Sequence, residues 1–441
     1  MSLAIFWTFF LVYKRRIHPL GLPVLAGGIF FFIYVIQPLY LIVTGDIYYF
    51  LNNWQIAKSI FVAFVMYLVF IRGWLSGVKK RVILSNRYLI KWNYNKVYIV
   101  GLFLSILGSS LFLIFIIQSG GIYQFYSMPH GAAGAWQEQT AYVYMGEYLI
   151  YPGIALLIFA IVNLKFSFGR IFPLFIFILV LLFNAILTGD RGNFFLLVST
   201  TGIAYFFATG KKPKTRTIII GGIITGIIIL LLVGYRDYLH LGPKNAPPIG
   251  VKDALFSMLA ITDSQIKRGV VGIEFIYHSG VIDAVDKLQR YHLGINWFYS
   301  ITVHLIPRII WKEKPYAWNT PGITTEDMSL QLGWTRTSGS APAIVADFYR
   351  QFGWLSLIFF YFLGVISGYF LKKVQCEKEP ESMIIYTLWF SWGYKLFAHG
   401  FGAMLVPYFY VLIPTIFLVR ICKKKYKIIP SFLFNEVQKL K

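Results

Sequence analysis

Charge is scarce in this chain. Only 13% of its 441 residues are Asp, Glu, Lys or Arg, against about 25% in water-soluble domains. With 57% hydrophobic and 19% aromatic residues, that shortage excludes a soluble globular domain. Strict apolar–polar alternation in short segments is also missing, which excludes an outer-membrane barrel. Cysteine occurs twice, as Cys376 and Cys422. Both fall in segments expected to be cytoplasmic, so no disulfide framework is expected. No P-loop, "HExxH", paired CxxC or acidic Asp-x-Asp triad occurs. ATP-driven work, a tightly held metal ion and any other cofactor are therefore not expected. A cleavable signal peptide is not expected either, because in "MSLAIFWTFFLVYKRR" the charges follow the apolar stretch and no small-residue cleavage site is visible.

What is there is a series of apolar runs of about 16–22 residues, the length a helix needs to cross a bilayer. The expectation is an all-α polytopic membrane protein of about eleven spans (roughly 10–12). They are placed near 2–13, 21–43, 57–75, 97–117, 147–164, 171–187, 194–210, 217–234, 353–371, 383–399 and 404–421. The formal charge of +23 does not point to nucleic acid, because the basic residues alternate along the chain. They gather at Lys14–Arg16, Lys79–Lys96, Lys165–Arg170, Lys211–Arg216, Lys372–Lys378 and from Arg420 onward. The intervening short links at 44–56, 118–145, 188–193 and 399–403 hold one cation, Arg191. This is the positive-inside pattern, and it predicts a cytoplasmic C-terminus.

One segment breaks the rhythm. Tyr235–Asp347 carries 11 basic and 10 acidic residues and four of the seven histidines, and the charge rule puts it outside. Expected domains are thus an N-terminal bundle (1–234), a large extracytoplasmic loop (235–347), C-terminal membrane helices (348–425) and a cytoplasmic tail (426–441). Within the loop, "DALFSMLAITDSQIKRG" and "IEFIYHSGVIDAVDKLQRY" have the spacing of half-buried helices. "INWFYSITVHLIPRIIW" suits a helix lying on or dipping into the outer leaflet. A smaller outer loop, "QSGGIYQFYSMPHGAAGAWQEQTAYVYM", offers aromatic rings and amides such as Trp136 and Gln137, suited to sugar faces and hydroxyls.

Four stretches carry charge where charge is unexpected. In "LTGDRGN", two ionisable residues sit between uncharged runs, with Asn193 expected to cap the helix that begins "FFLL". That arrangement puts Arg191 beside free N–H groups and a favourable dipole, a site for an anion. The plainer alternative is an Arg191–Asp190 pair or a snorkelling anchor. "GYRDYL" places Arg236 at another span end, where anchoring is the stronger alternative. "HLIPRIIWKEKP" concentrates Arg308, Lys312 and Lys314 around Trp311, suited either to lipid headgroups or to a lipid-linked phosphate. "TSGSAPAIVADFYRQFGW" sets Asp347 and Arg350 one turn apart, the spacing of an i,i+3 ion pair. His304 and His399 read as packed or interfacial residues.

Together, "LTGDRGNFFLLV", "IPRIIWKEKP" and "APAIVADFYRQFGWLSLI" resemble the Wzy-type polymerases of O-antigen and capsule repeat units. The resemblance rests on the Gly-x-Arg-Gly turn after a mid-chain span, the Pro-Arg…Trp…Lys-Pro segment late in a large outer loop, and the small-residue run leading into an "FG" span. It implies a GT-C-like fold in a bacterial inner membrane. The implied reaction moves the glycan of one undecaprenyl-diphosphate-linked chain onto the terminal sugar of another lipid-linked repeat. Partners would be the lipid-linked oligosaccharide, the bilayer and a chain-length regulator protein, with no nucleic acid. Implied roles put Arg191, Arg236, Arg308 and Lys314 on diphosphate, and Asp347, Glu274 or His304 as the base. Trp136, Gln137 and Trp311 would contact sugars. Three rivals remain, an O-antigen ligase-type transferase, a flippase or other transporter, and a structural scaffold for an envelope synthesis complex. The loop histidines lack the His-Asn element of ligases, and the spans are too poor in charge for a transporter.

Overall fold

The computed structural model describes residues 1–14, 17–80, 88–127, 143, 145–164, 166–211, 213–239, 241, 250, 252–253, 255, 259, 261, 263–271, 273–306, 311, 313, 322–336 and 342–427. The described chain is almost entirely helical. In order its helices are α1 (Ser2–Tyr13), α2 (Leu22–Thr44), α3 (Asn53–Lys79), α4 (Tyr94–Gln118), α5 (Ile122–Ser127), α6 (Ile150–Asn163), α7 (Phe168–Thr188) and α8 (Arg191–Thr209). They continue as α9 (Thr215–Gly234), α10 (Glu274–Leu288), α11 (Ile295–Leu305), α12 (Thr325–Leu332), α13 (Ile344–Phe352), α14 (Ser356–Glu377), α15 (Pro380–His399) and α16 (Phe401–Ile421). Single turns at Arg236–Leu239 and Asp263–Arg268 are unlabelled. Three 3-10 turns (Asp46–Tyr49, Met145–Leu149 and Gly353–Leu355) and two short ladders complete the described elements: 88–92 runs antiparallel to 423–427, and 270–271 parallel to 335–336.

Among the described residues, eight helices are long and apolar enough to cross a membrane. They coincide with eight of the eleven expected spans. The other three positions fall on α1, α9 and α15, which are helical but do not meet the same combination of length and hydropathy. The apolar faces confirm the class. Phe172, Phe175, Leu179 and Phe183 of α7 and Phe359 and Phe362 of α14 stand exposed, a surface that only a bilayer can solvate. This is a multi-pass membrane protein.

The bundle has a basic end, where the ladder joins the 88–92 link to residues 423–427, and an opposite end that carries the described helices of the 235–347 segment. Its tightest crossing is α3 against α14. A Cβ at Gly73 or Gly77 would run into the carbonyls of Tyr361 and Val365. One at Gly364 or Gly368 would run into those of Phe70 and Trp74. Each helix thus brings a Gly-xxx-Gly stripe to the same seam, which lets the backbones touch where no hydrophobic drive would otherwise hold them. α6 lies at the centre, with Ile150–Ile161 buried throughout, packed by α4, α8 and α7.

Two features of the loop end position the site. In α2 the winding loosens to a π turn over Phe32–Ile36, with the Gln37 N–H reaching back to the Phe32 carbonyl. Pro38 follows and lacks the N–H that would pair with the carbonyl four residues earlier, so a widened turn accommodates it. Tyr34 and Gln37 are thereby turned onto α10. α10 itself corrects an expectation, since it is not half-buried. Every residue from Phe275 to Val285 is buried, because the helix is packed against α3, α12 and α13. Its acids are tied to neighbouring helices. Gln55 Nε2 donates to Asp283 Oδ2 at 2.8 Å, Tyr349 donates to Asp286 Oδ1 at 2.8 Å, and Lys58 pairs with Asp286. The expected leaflet helix, α11, packs on α16 and seats Trp297 among Phe348, Phe352 and Phe401.

Candidate anion-binding site at the loop end

The link between α7 and α8 is two residues long, and its geometry follows from Gly189. With φ 61° and ψ 24°, Gly189 takes the left-handed conformation that ends α7. The Gly189 N–H returns to Ile186 O at 3.1 Å and the Asp190 N–H to Ala185 O at 3.0 Å, the paired bonds of a Schellman stop. Asp190 then begins α8. Its Oδ1 accepts from Gly192 N at 2.8 Å and Asn193 N at 3.2 Å. The cap is therefore Asp190, not Asn193 as expected from sequence, because Gly189 brings the reversal forward by three residues. Asn193 is buried in the first turn instead.

This capping also settles what Asp190 does to Arg191. Its carboxylate is engaged with backbone N–H groups, and no described carboxylate comes within ion-pair distance of Arg191. The guanidinium lies beside the Tyr394 hydroxyl, while the Tyr394 ring packs over Gly192 and against Phe195. Tyr394 also shares a 3.2 Å hydrogen bond with His399 Nε2. One residue on, Lys395 Nζ donates to the Tyr148 hydroxyl at 3.1 Å and sits 4.6 Å from the ring centroids of both Tyr148 and Trp392. Two aromatic faces therefore hold this ammonium in place. Asp190 and Glu147 supply negative charge nearby.

The opposite wall belongs to α10. Glu274 stands at its first position, where a carboxylate suits the helix dipole. Gln37 holds it from α2: Nε2 donates to Glu274 Oε2 at 2.7 Å, and Oε1 accepts from Phe275 N at 3.1 Å. Gln37 therefore acts as a cap borrowed from another helix. Glu274 is close enough for its charge to be felt at Tyr394. One turn along α10, His278 Nδ1 meets the Tyr34 hydroxyl at 3.1 Å.

Asp347 is differently engaged. Its Oδ2 accepts from the Trp297 indole at 3.1 Å and from Phe401 N at 2.8 Å, and its Oδ1 pairs with Arg350 at 3.5 Å. The i,i+3 pair expected from spacing is present. The carboxylate caps α16 and braces the His399–Gly400 turn, where a Cβ at Gly400 would press on it. Its three partners occupy both of its oxygens. Beyond it, His292 is held by Asn296 Nδ2 on Nδ1 and by Ile323 O on Nε2. Burial, and then the nearby Arg350 guanidinium, push its imidazole down to about 4.

Arg191 and Glu274 are thus brought to one place, with Asp347 behind the turn that carries His399. Trp311 is described and partly exposed. The expectations for Arg308, Lys314, Trp136 and Gln137 lie outside the described residues, as do the side chains of Arg236 and His304. Sequence reasoning missed Lys395, Tyr394 and Glu147. A signal existed for two of them, because a single ionisable residue in an apolar run is functional by default: "GYKLF" for Lys395 and "GEYLIY" for Glu147.

No family model, curated protein or solved structure matches this chain.

Proposed function

We propose that this protein is a polysaccharide polymerase, a glycosyltransferase of GT-C-like architecture working at the outer face of a bacterial inner membrane with its C-terminus in the cytoplasm. Its substrates are two undecaprenyl-diphosphate-linked glycans. The acceptor's terminal hydroxyl attacks the anomeric carbon of the donor, the anomeric C–O bond breaks, and undecaprenyl diphosphate leaves with the bonding electrons. The observation that carries this reading is Arg191, a guanidinium without a described carboxylate partner, set at a helix N-terminus with Lys395 nearby. Fixed cations of this kind stabilise charge as it develops on a leaving diphosphate. Tyr394 and His399 line the same place and can donate hydrogen bonds to phosphate oxygens.

In this reading the proton of the acceptor hydroxyl goes to Glu274. Among the described base candidates it is the carboxylate whose charge reaches Tyr394 beside Arg191, while Asp347 is committed to Trp297, Phe401 and Arg350. The sugar chain would extend toward the loop, and a chain-length regulator would act on the emerging polymer.

The test is the length distribution of polymer made by cells, and by reconstituted protein, carrying Arg191→Ala and Arg191→Lys. The expected result is a loss of about 100-fold or more in rate for Ala. A partial recovery is expected for Lys, which keeps the charge without the fork. Full-length polymer from both variants would make Arg191 an anchor and remove the assignment.

A further inference from the structure

We propose that Glu147 is the positioning residue of this site: its carboxylate fixes the turn that presents Arg191. Glu147 is 3% exposed and sits in the 3-10 turn Met145–Leu149 at the head of α6. Its Oε2 accepts from Asn184 Nδ2 at 2.7 Å and its Oε1 from Asn193 Nδ2 at 3.1 Å. Asn184 lies in the last two turns of α7 and Asn193 in the first turn of α8. The two asparagines flank the Gly189–Asp190 link, so one side chain from a third element pins both arms of the reversal.

The network around it leaves little freedom. Tyr126 donates to Asn184 Oδ1 at 3.3 Å, which fixes that amide at both ends. Asn193 Oδ1 is buried with no hydrogen-bond partner among the described residues, so the described contact that orients the Asn193 amide is Glu147. Lys395 brings positive charge close to it, and Asp190 brings further negative charge. A buried carboxylate here would be expensive in a membrane, yet the two amides and the ammonium make this arrangement tenable. Arg191 is two residues from Asn193 in the same helical turn, so a shift of one is a shift of the other. Misplacing a charged contact by about 1 Å can cost on the order of 100-fold in rate. The catalytic consequence rests on the polymerase reading; the positional claim does not.

The experiment uses the full-length protein in lipid nanodiscs, with Glu147→Gln, Glu147→Asp and Asn193→Ala. Hydrogen exchange of the 187–195 segment reads the turn directly, and turnover of lipid-linked repeat units is measured alone and on an Arg191→Ala background. Glu147→Gln keeps the size but loses one acceptor. It is expected to speed exchange in that segment and to lower kcat by about tenfold or more with little change in KM. It should cost nothing further once Arg191 is Ala. Glu147→Asp should recover part of both effects, and Asn193→Ala should reproduce them should the glutamate variants fail to fold. Unchanged exchange overturns the proposal whatever the kinetics. So does a Glu147→Gln loss that multiplies with Arg191→Ala, since Glu147 would then act elsewhere. Faster exchange with normal turnover, alongside a fully active Arg191→Ala, upholds the positioning and removes Arg191 from the catalytic machinery, whereas faster exchange in a protein that turns over no lipid-linked repeat units even when unsubstituted upholds the positioning and rejects the polymerase reading.

Discussion

A guanidinium next to an aspartate is a useful anion receptor only when the aspartate is occupied, and Asp190 is occupied by capping α8. Adjacency in sequence suggested neutralisation. The backbone decided otherwise, because two unpaired N–H groups at a helix start compete for the same carboxylate and are fixed in place. The same logic separates Asp347 from Glu274, two acids that sequence could not rank. A titration follows from His292. Its imidazole is held near 4, below its ordinary value of 6.5. Between those values the unfolded chain binds a proton that the folded chain does not. Stability is therefore expected to fall as pH drops from about 6.5 toward 4. Melting of the detergent-solubilised protein across that window checks this, and His292→Gln should flatten the slope. An equal slope in both proteins would show that His292 is not the group responsible.

At the scale of elements, helix existence was legible and helix partnership was not. Apolar run length fixes where a span must lie, whereas a Gly-xxx-Gly stripe is silent about which other stripe it meets. Here α3 and α14, 291 residues apart in sequence by Gly73 and Gly364, share one seam. Gly73→Leu or Gly368→Leu is expected to abolish recovery of monodisperse protein in size-exclusion chromatography, because the blocking atoms are backbone and cannot rotate away. Gly222→Leu is the control. It lies on α9 with nothing within 4 Å of its added Cβ, and should be tolerated. A normal yield from both crossing variants would mean the two helices do not approach this closely. The buried α10 has a similar origin: its spacing resembled a half-exposed helix, but the polar face it presents is consumed by Gln55, Lys58, Tyr349 and Gln37.

For the whole molecule, the decisive quantity is which end of the bundle faces the cytoplasm. The described parts of the basic links gather at one end, joined there by the 88–92 and 423–427 ladder, and the described helices of the 235–347 segment lie at the other. Sidedness is read by a membrane-impermeant maleimide. Cys376 is exposed at the basic end, and should label only in inside-out vesicles. A cysteine in place of Leu330, 86% exposed on α12, should label only from the opposite side. The reverse pattern would put the anion site in the cytoplasm and end the proposal of chemistry on an exported lipid-linked glycan.

Sequence alone determined that the chain lives in a bilayer, roughly where its spans run, and that Arg191 needs a reason to exist. These are one-dimensional facts, because hydrophobic length and an isolated charge are visible without knowing any neighbour. The company Arg191 keeps was decided only in three dimensions. Lys395 and Tyr394 lie about 200 residues beyond it and Glu147 more than 40 before it. Burial inside a membrane is tolerable for such groups only when they satisfy one another, and satisfaction is a property of distance in space.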